Sequence, residues 1–169
     1  MYNQRMEDIQ STLDRLASQN DDRTSIFDVE IVSIQDSSLA LRGRLLNESQ
    51  LETLTSHFSN WKLDTSSIQI LHKDNLLQMH VGTNLTGLYD GPTLYLPLSS
   101  ELCYGTAVEI LEEEEKWVFT RQKDGYLGWI FKSHLMEGVA SPRTHLVLAP
   151  SCELRAQPNK ESEVITRLV

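Results

Sequence analysis

The stretch from Leu102 to Leu135, LCYGTAVEILEEEEKWVFTRQKDGYLGWIFKSHL, alternates apolar and polar residues between short polar turns. Val108 and Ile110 precede the acidic run Glu112 to Glu115, and Trp117 and Phe119 follow it. The turn Lys123-Asp124-Gly125 comes next, and then Tyr126, Gly128, Trp129 and Ile130. A period of two, interrupted by charged or glycine-bearing turns, is the pattern of hairpins packed on one face. The expected order is strand, hairpin tip, strand, turn, strand, with two tryptophans one hairpin apart.

The chain around this stretch has 169 residues, room for one large or two small domains. A hydrophobic content of 40% is enough for packed cores and too high for a disordered chain. The spacing of Met6, Ile9, Leu13 and Leu16 predicts a helix over Asn3 to Gln19, ended by the polar run Ser18 to Ser25. Phe27, Val29 and Ile31 then alternate with Asp28, Glu30 and Val32 as a half-buried strand. Leu39, Leu41 and Leu45 continue as a second strand, with Gly43 marking a bulge or a close approach. Asn47 and Gln50 form a capping-box pattern that opens a helix with Leu51, Leu54 and Phe58 inside. Ile68 and Ile70 make one more strand.

Residues 4 to 71 therefore read helix, strand, strand, helix, strand. With LALRGRLLNESQLETL placing a glycine after a strand and a helix soon after, this order is similar to a BON domain. Many small α+β units share that arrangement, so a packing module with no ligand of its own is the preferred reading.

A second boundary falls in GVASPRT, Gly138 to Thr144. Beyond it the chain repeats itself at one offset: Leu88 matches Leu154, Pro92 matches Pro158, Leu98 matches Val164, and Leu102 matches Leu168. His80 and His145 open the two segments. A fixed period implies a duplicated unit. The second copy ends before its tryptophan strands, so the chain is expected to be the front of a longer protein.

Chemistry-bearing residues do not converge in the sequence. The two cysteines, Cys103 and Cys152, are too few for a disulfide framework, and their apolar surroundings predict small buried residues. Neither lies at a helix start beside a histidine, the setting that would lower a thiol pKa for nucleophilic work. His57, His72, His80, His134 and His145 lack metal-ligand spacing, and no glycine-rich phosphate loop occurs. The glutamate run reads as a solvated hairpin tip. No catalytic centre, metal or cofactor is expected. A formal net charge of −9 repels phosphates and anionic lipid, so neither nucleic acid nor membrane insertion is expected. The start, MYNQRMEDIQST, has no signal-peptide pattern, which points to the cytoplasm, or outside the cell if the sequence is a piece of a longer protein.

The motif YGxxVEIL…W…DGYxGW, from Tyr104 to Trp129, resembles a bacterial SH3-type domain. With the repeat, it resembles the non-catalytic front of NlpC-type endopeptidases, which cut γ-D-glutamyl-diamino acid bonds of murein peptides. That resemblance implies an all-β SH3-like barrel over 76–138 of five or six strands. It also implies the opening strands of a second, incomplete unit over 139–169, both after the α+β domain of 1–75. It further implies a partner catalytic domain outside this chain and a murein-derived peptide or cell-wall fragment as ligand. Tyr104 would contribute to the substrate rim, with Glu101 beside it to meet an amine. Trp117 and Trp129 would brace the sheet and line a shallow groove, while Tyr89 and Tyr126 present hydroxyls at strand ends or loops.

Two other classes of function remain open at this point. Leu88-Tyr89-Asp90 echoes the opening of proline-peptide-binding SH3 domains, whose aromatic groove takes a preformed extended helix, and the acidic run would favour basic flanks. Alternatively the first helix pairs with a copy of itself in a purely structural assembly.

Overall fold

The computed structural model describes residues 2–138 and 149–168. The chain divides into two compact units, Met1–Asn75 and Leu76–Val169.

The first unit is an α/β layer built from α1 (Tyr2–Ala17), β1 (Phe27–Gln35), β2 (Ser38–Leu45), α2 (Glu48–His57) and β3 (Lys62–Ile70). Its sheet runs β1-β2-β3, antiparallel between β1 and β2 and parallel between β2 and β3. The helical stripe Ile9, Leu13 and Leu16 is buried against Leu39, Leu41 and Leu45 of β2 and Leu54 and Phe58 of α2. That burial leaves little of the α1 stripe for pairing with a copy of itself. Its apolar face is already spent on this core, and only Met6 stays exposed.

Local chemistry fixes the turns of this unit. Asp36 takes a positive φ of 50° in the two-residue β1–β2 hairpin, a conformation that an aspartate tolerates. At Gly43 the close approach is real, since a Cβ there would lie 1.9 Å from the Asp28 carbonyl oxygen. Asn47 caps α2 by accepting from the Gln50 N–H, and the Gln50 side chain accepts from the Asn47 and Leu46 N–H groups. The Gln50 amide also donates to Asn20 and Ser25, both at 2.8 Å, and so clips the polar run after α1 to the start of α2.

The second unit contains β4 (Gln78–Val81), β5 (Leu85–Tyr89), β6 (Leu98–Cys103), β7 (Ala107–Glu114), β8 (Trp117–Gln122), β9 (Leu127–Phe131), a 3-10 turn (Lys132–His134) and β10 (Leu135–Met136). These strands form one antiparallel sheet in the order β10-β4-β7-β8-β9-β5-β6. All seven send side chains into a single core: Met79, Val81, Leu88, Leu102, Val108, Ile110, Val118, Ile130 and Leu135. Laid flat, seven strands would hold β10 and β6 roughly 29 Å apart. A shared core therefore requires the sheet to curl over on itself.

The curl does not become a closed barrel. Among the described residues the pairing ends at β6 on one side and β10 on the other. β10 has only two residues, both already matched to β4, which leaves too little ladder to close the ring. The expected five- or six-stranded barrel is thus a seven-stranded curled sheet.

The acidic run is also placed differently from the sequence reading. Glu112, Glu113 and Glu114 lie within β7, and only Glu115 occupies the turn before Trp117, with φ of 38°. Gly125 closes the β8–β9 turn at a φ of 95°.

A two-stranded hairpin follows, β11 (Cys152–Arg155) with β12 (Val164–Leu168). Its pairs are Cys152↔Leu168, Glu153↔Arg167, Leu154↔Thr166 and Arg155↔Val164. In β5–β6 the pairs are Thr86↔Leu102, Gly87↔Glu101, Leu88↔Ser100 and Tyr89↔Leu98. The two ladders correspond pair for pair at one offset, and both slip at the same step, Leu88/Tyr89 and Leu154/Arg155. His145 and the linker beyond Gly138 lie outside the described residues.

Candidate functional site

Residues paired across strands share a face, and neighbours along a strand alternate between faces. In β5, β8 and β9 the core face carries Leu88, Val118, Thr120 and Ile130. The opposite face carries Tyr89, Trp117, Phe119, Trp129 and Phe131, related by the pairs Tyr89↔Trp129, Phe119↔Trp129 and Trp117↔Phe131.

These rings form a continuous row. Tyr89 meets Trp117 edge-on, with centroids 5.7 Å apart and planes at 85°. Trp117 meets Phe131 at 5.3 Å and 79°, and Phe131 meets the His134 ring at 5.5 Å and 64°. Edge-to-face contacts of this kind add about 0.5–1.5 kcal/mol each beyond area burial. On the same face Phe119 and Trp129 lie 5.1 Å apart and are buried. Tyr89, Trp117, Phe131 and His134 are only half-buried, so the row keeps an accessible side. His134 is held from behind by a 2.8 Å hydrogen bond between its Nδ1 and the buried Thr86 hydroxyl.

Two glycines permit this packing. A Cβ on Gly87 would lie 2.4 Å from Leu98 Cδ1 and 2.7 Å from the Tyr89 ring, so the tyrosine folds over a residue without a side chain. A Cβ on Gly128 would meet Leu88 Cγ at 2.5 Å. The glycine of the Gly-Trp pair is what lets β5 lie close against β9.

Carboxylates flank the row on both sides. Glu101 is exposed and lies directly across from Gly87, beneath the reach of Tyr89. Glu114 is exposed and lies directly across from Trp117. Among the described residues neither has an ion-pair partner, whereas Glu113 pairs with Lys132, and Glu109 pairs with Arg121 at 3.2 Å.

The structure brings four of the six predicted residues to one face: Tyr89, Trp117, Trp129 and Glu101. Trp129 shares that face but is only 6% exposed. Tyr104 is half-buried in the turn after β6, where its N–H donates to the Asn84 carbonyl. Tyr126 belongs to the β8–β9 turn and packs against the core. Phe131, His134 and Glu114 complete the row without having been singled out. Phe131 had a signal: it follows Trp129 by two, and a period of two puts both on one face.

Cys103 corrects the expectation of two buried thiols. It is exposed, because Leu102 before it takes the inward position of β6, and Cys152 is half-buried. A hollow of about 260 Å3 lined by Gln78, Ala107, Val108, Glu109, Arg121 and Lys123 lies on the β4–β7–β8 side. None of the row's rings is in its wall. Among the described residues no cluster of three or more His, Cys, Asp or Glu is placed to hold a metal ion, and no helix is long and apolar enough to cross a membrane.

Residues 88–135 match the family described as the bacterial dipeptidyl-peptidase SH3 domain. The match begins in β5 and ends at β10, and so contains all the rings of the row. This segment is a bacterial SH3-type domain. No curated protein matches the chain.

Proposed function

We propose that the SH3-type unit is a non-catalytic recognition module, positioning murein-derived peptide for a cell-wall peptide hydrolase. The observation that carries this reading is the half-exposed row Tyr89–Trp117–Phe131–His134 on the face away from the core. A sheet needs apolar residues on its packed face, and its solvent face is ordinarily polar. A row of four rings on the second face suits the flat backbone and short side chains of an extended peptide. The family match supplies the second support, through the kind of enzyme named in its description.

In this reading the hairpin β11–β12 is the opening of a second SH3-type unit, supported by its matching register and matching slip. The first unit, with its BON-like element order, serves as a packing module.

The test is a titration of the 169-residue protein with a soluble muropeptide, followed by tryptophan fluorescence and calorimetry. Saturable binding that Trp117→Ala weakens at least about tenfold is the expected outcome, the loss of one well-packed aromatic anchor. Binding unaffected by Trp117→Ala, or no binding at millimolar peptide, would contradict the proposal.

A further inference from the structure

A buried threonine behind the aromatic row is not explained by packing alone. Thr86 precedes Leu88 by two on β5 and so takes the core face, where it is only 5% exposed. The hairpin ladder itself has no need of a hydroxyl there, because the matching position of β11 is Cys152. Among the described residues the Thr86 hydroxyl has one hydrogen-bond partner, Nδ1 of His134 at 2.8 Å.

That single bond fixes the imidazole. A hydroxyl has one O–H and two lone pairs, and a buried proton without an acceptor is the rarer defect. The Thr86 hydroxyl therefore donates, and Nδ1 accepts. A neutral imidazole carries one N–H, so its proton sits on Nε2. Nε2 has no hydrogen-bond partner among the described residues, and it is not sealed inside the chain as the unpartnered Nε2 of His80 is. The ring also stands edge-on to Phe131 at 5.5 Å. A donor of set orientation thus ends the row Tyr89–Trp117–Phe131.

Resting on the reading that this face binds an extended peptide, we infer that His134 is a ligand-binding residue whose Nε2–H donates to a main-chain carbonyl of that peptide. Thr86 is its positioning residue. Ring faces tolerate a peptide slid along them, whereas one oriented donor selects which carbonyl lies at the end of the row. A neutral carbonyl suits this place better than a carboxylate. The strand end beside Trp117 carries Glu113, Glu114 and Glu115 against Lys116 and Lys132, and so remains net negative.

The experiment is imidazole NMR of the isotopically labelled, intact chain in alkaline buffer, where the ring is neutral. In the free chain Nδ1 of His134 should be unprotonated, with the Nε2 proton exchanging with water. Saturation with a soluble muropeptide should protect that proton and move it downfield, a change that a purely structural histidine would not show. His134→Phe keeps a ring beside Phe131 but removes the donor, and should weaken muropeptide binding about three- to tenfold, the loss of one neutral hydrogen bond. His134→Gln keeps an acceptor and a donor one carbon apart, as in the imidazole, and should restore most of the affinity. Thr86→Val should weaken binding about two- to threefold by releasing the ring. A proton on Nδ1 of the free chain, an Nε2 proton still exchanging at saturation, or unchanged affinity in His134→Phe would each overturn the role of His134. The recognition module would survive any of these so long as Trp117→Ala still weakens binding. No binding at millimolar muropeptide, read by tryptophan fluorescence, defeats both. If His134→Phe fails to fold, the Nε2 proton and His134→Gln decide.

Discussion

Hairpins β5–β6 and β11–β12 have the same ladder, the same slip and a proline at matching places in their loops, Pro92 and Pro158. Apart from the exposed apolar residues Leu98 and Val164, which also correspond, their surfaces differ. The loop of the first reads GPTLYLP and leaves Leu94 and Tyr95 67% and 98% exposed. The loop of the second, AQPNKESE, is polar throughout apart from its alanine and proline. On the strands, Gly87, Tyr89 and Glu101 are exchanged for Glu153, Arg155 and Arg167. The shared part is what the backbone needs. The part that differs is free to carry function, and in the first hairpin it is aromatic, acidic and apolar at its tip.

The comparison can be broken most severely at Trp129. Trp129 lies where the backbone of β9 pairs with β5, and the second hairpin has no corresponding partner among the described residues. Trp129→Ala is expected to cost about 3–5 kcal/mol of stability in chemical denaturation. It should strip amide protection from β5–β6 in hydrogen exchange and leave β11–β12 as it was. Next is Gly128→Ala, which forces a Cβ against the fully buried Leu88 and should cost about 1–3 kcal/mol by overpacking. Gly87→Glu copies the second hairpin onto the first. It displaces the ends of the Tyr89 and Leu98 side chains, which can swing away, so about 1 kcal/mol is expected, together with a changed Trp117 fluorescence spectrum. The triple replacement of Leu94, Tyr95 and Leu96 by serine should change stability by less than about 0.5 kcal/mol, because the polar loop already closes an equivalent hairpin. A larger loss would show that the apolar tip belongs to the fold.

The smallest effect concerns pH. The hydrogen bond from Arg155, its charge, and the contact with Arg167 hold the Glu153 carboxyl below its usual range. A lowered folded-state value means that the contribution is complete above the ordinary carboxylate range and is lost as pH falls through the folded value. Backbone chemical shifts of Glu153, Arg155 and Arg167 should therefore drift together as pH falls through that lowered value.

Much of this fold was legible because its signals are local. The α1 stripe, the Asn47–Gln50 box and the alternation in β7 and β8 each follow from residues within one turn or one hairpin. The first half of β3, Lys62-Leu63-Asp64-Thr65-Ser66-Ser67, was hidden, since its polar residues form a strand only by parallel pairing with β2. The run of β4 was hidden for a similar reason: four residues acquire strand geometry from neighbours distant in sequence. The site was half legible. Tyrosine and tryptophan stood out as residue types, but whether a ring faces the core or solvent depends on register. Register separated Tyr89 and Trp117 from Tyr126, and it brought in Phe131 and Glu114.

The most direct test of the account is a chemical-shift map of the isotopically labelled chain during titration with a soluble wall peptide. The account predicts that the largest shifts cluster at Tyr89, Glu101, Glu114, Trp117 and Phe131, with Glu153, Arg155 and Arg167 unmoved. Shifts centred on the hollow at Gln78 and Arg121, or on the second hairpin, would contradict it.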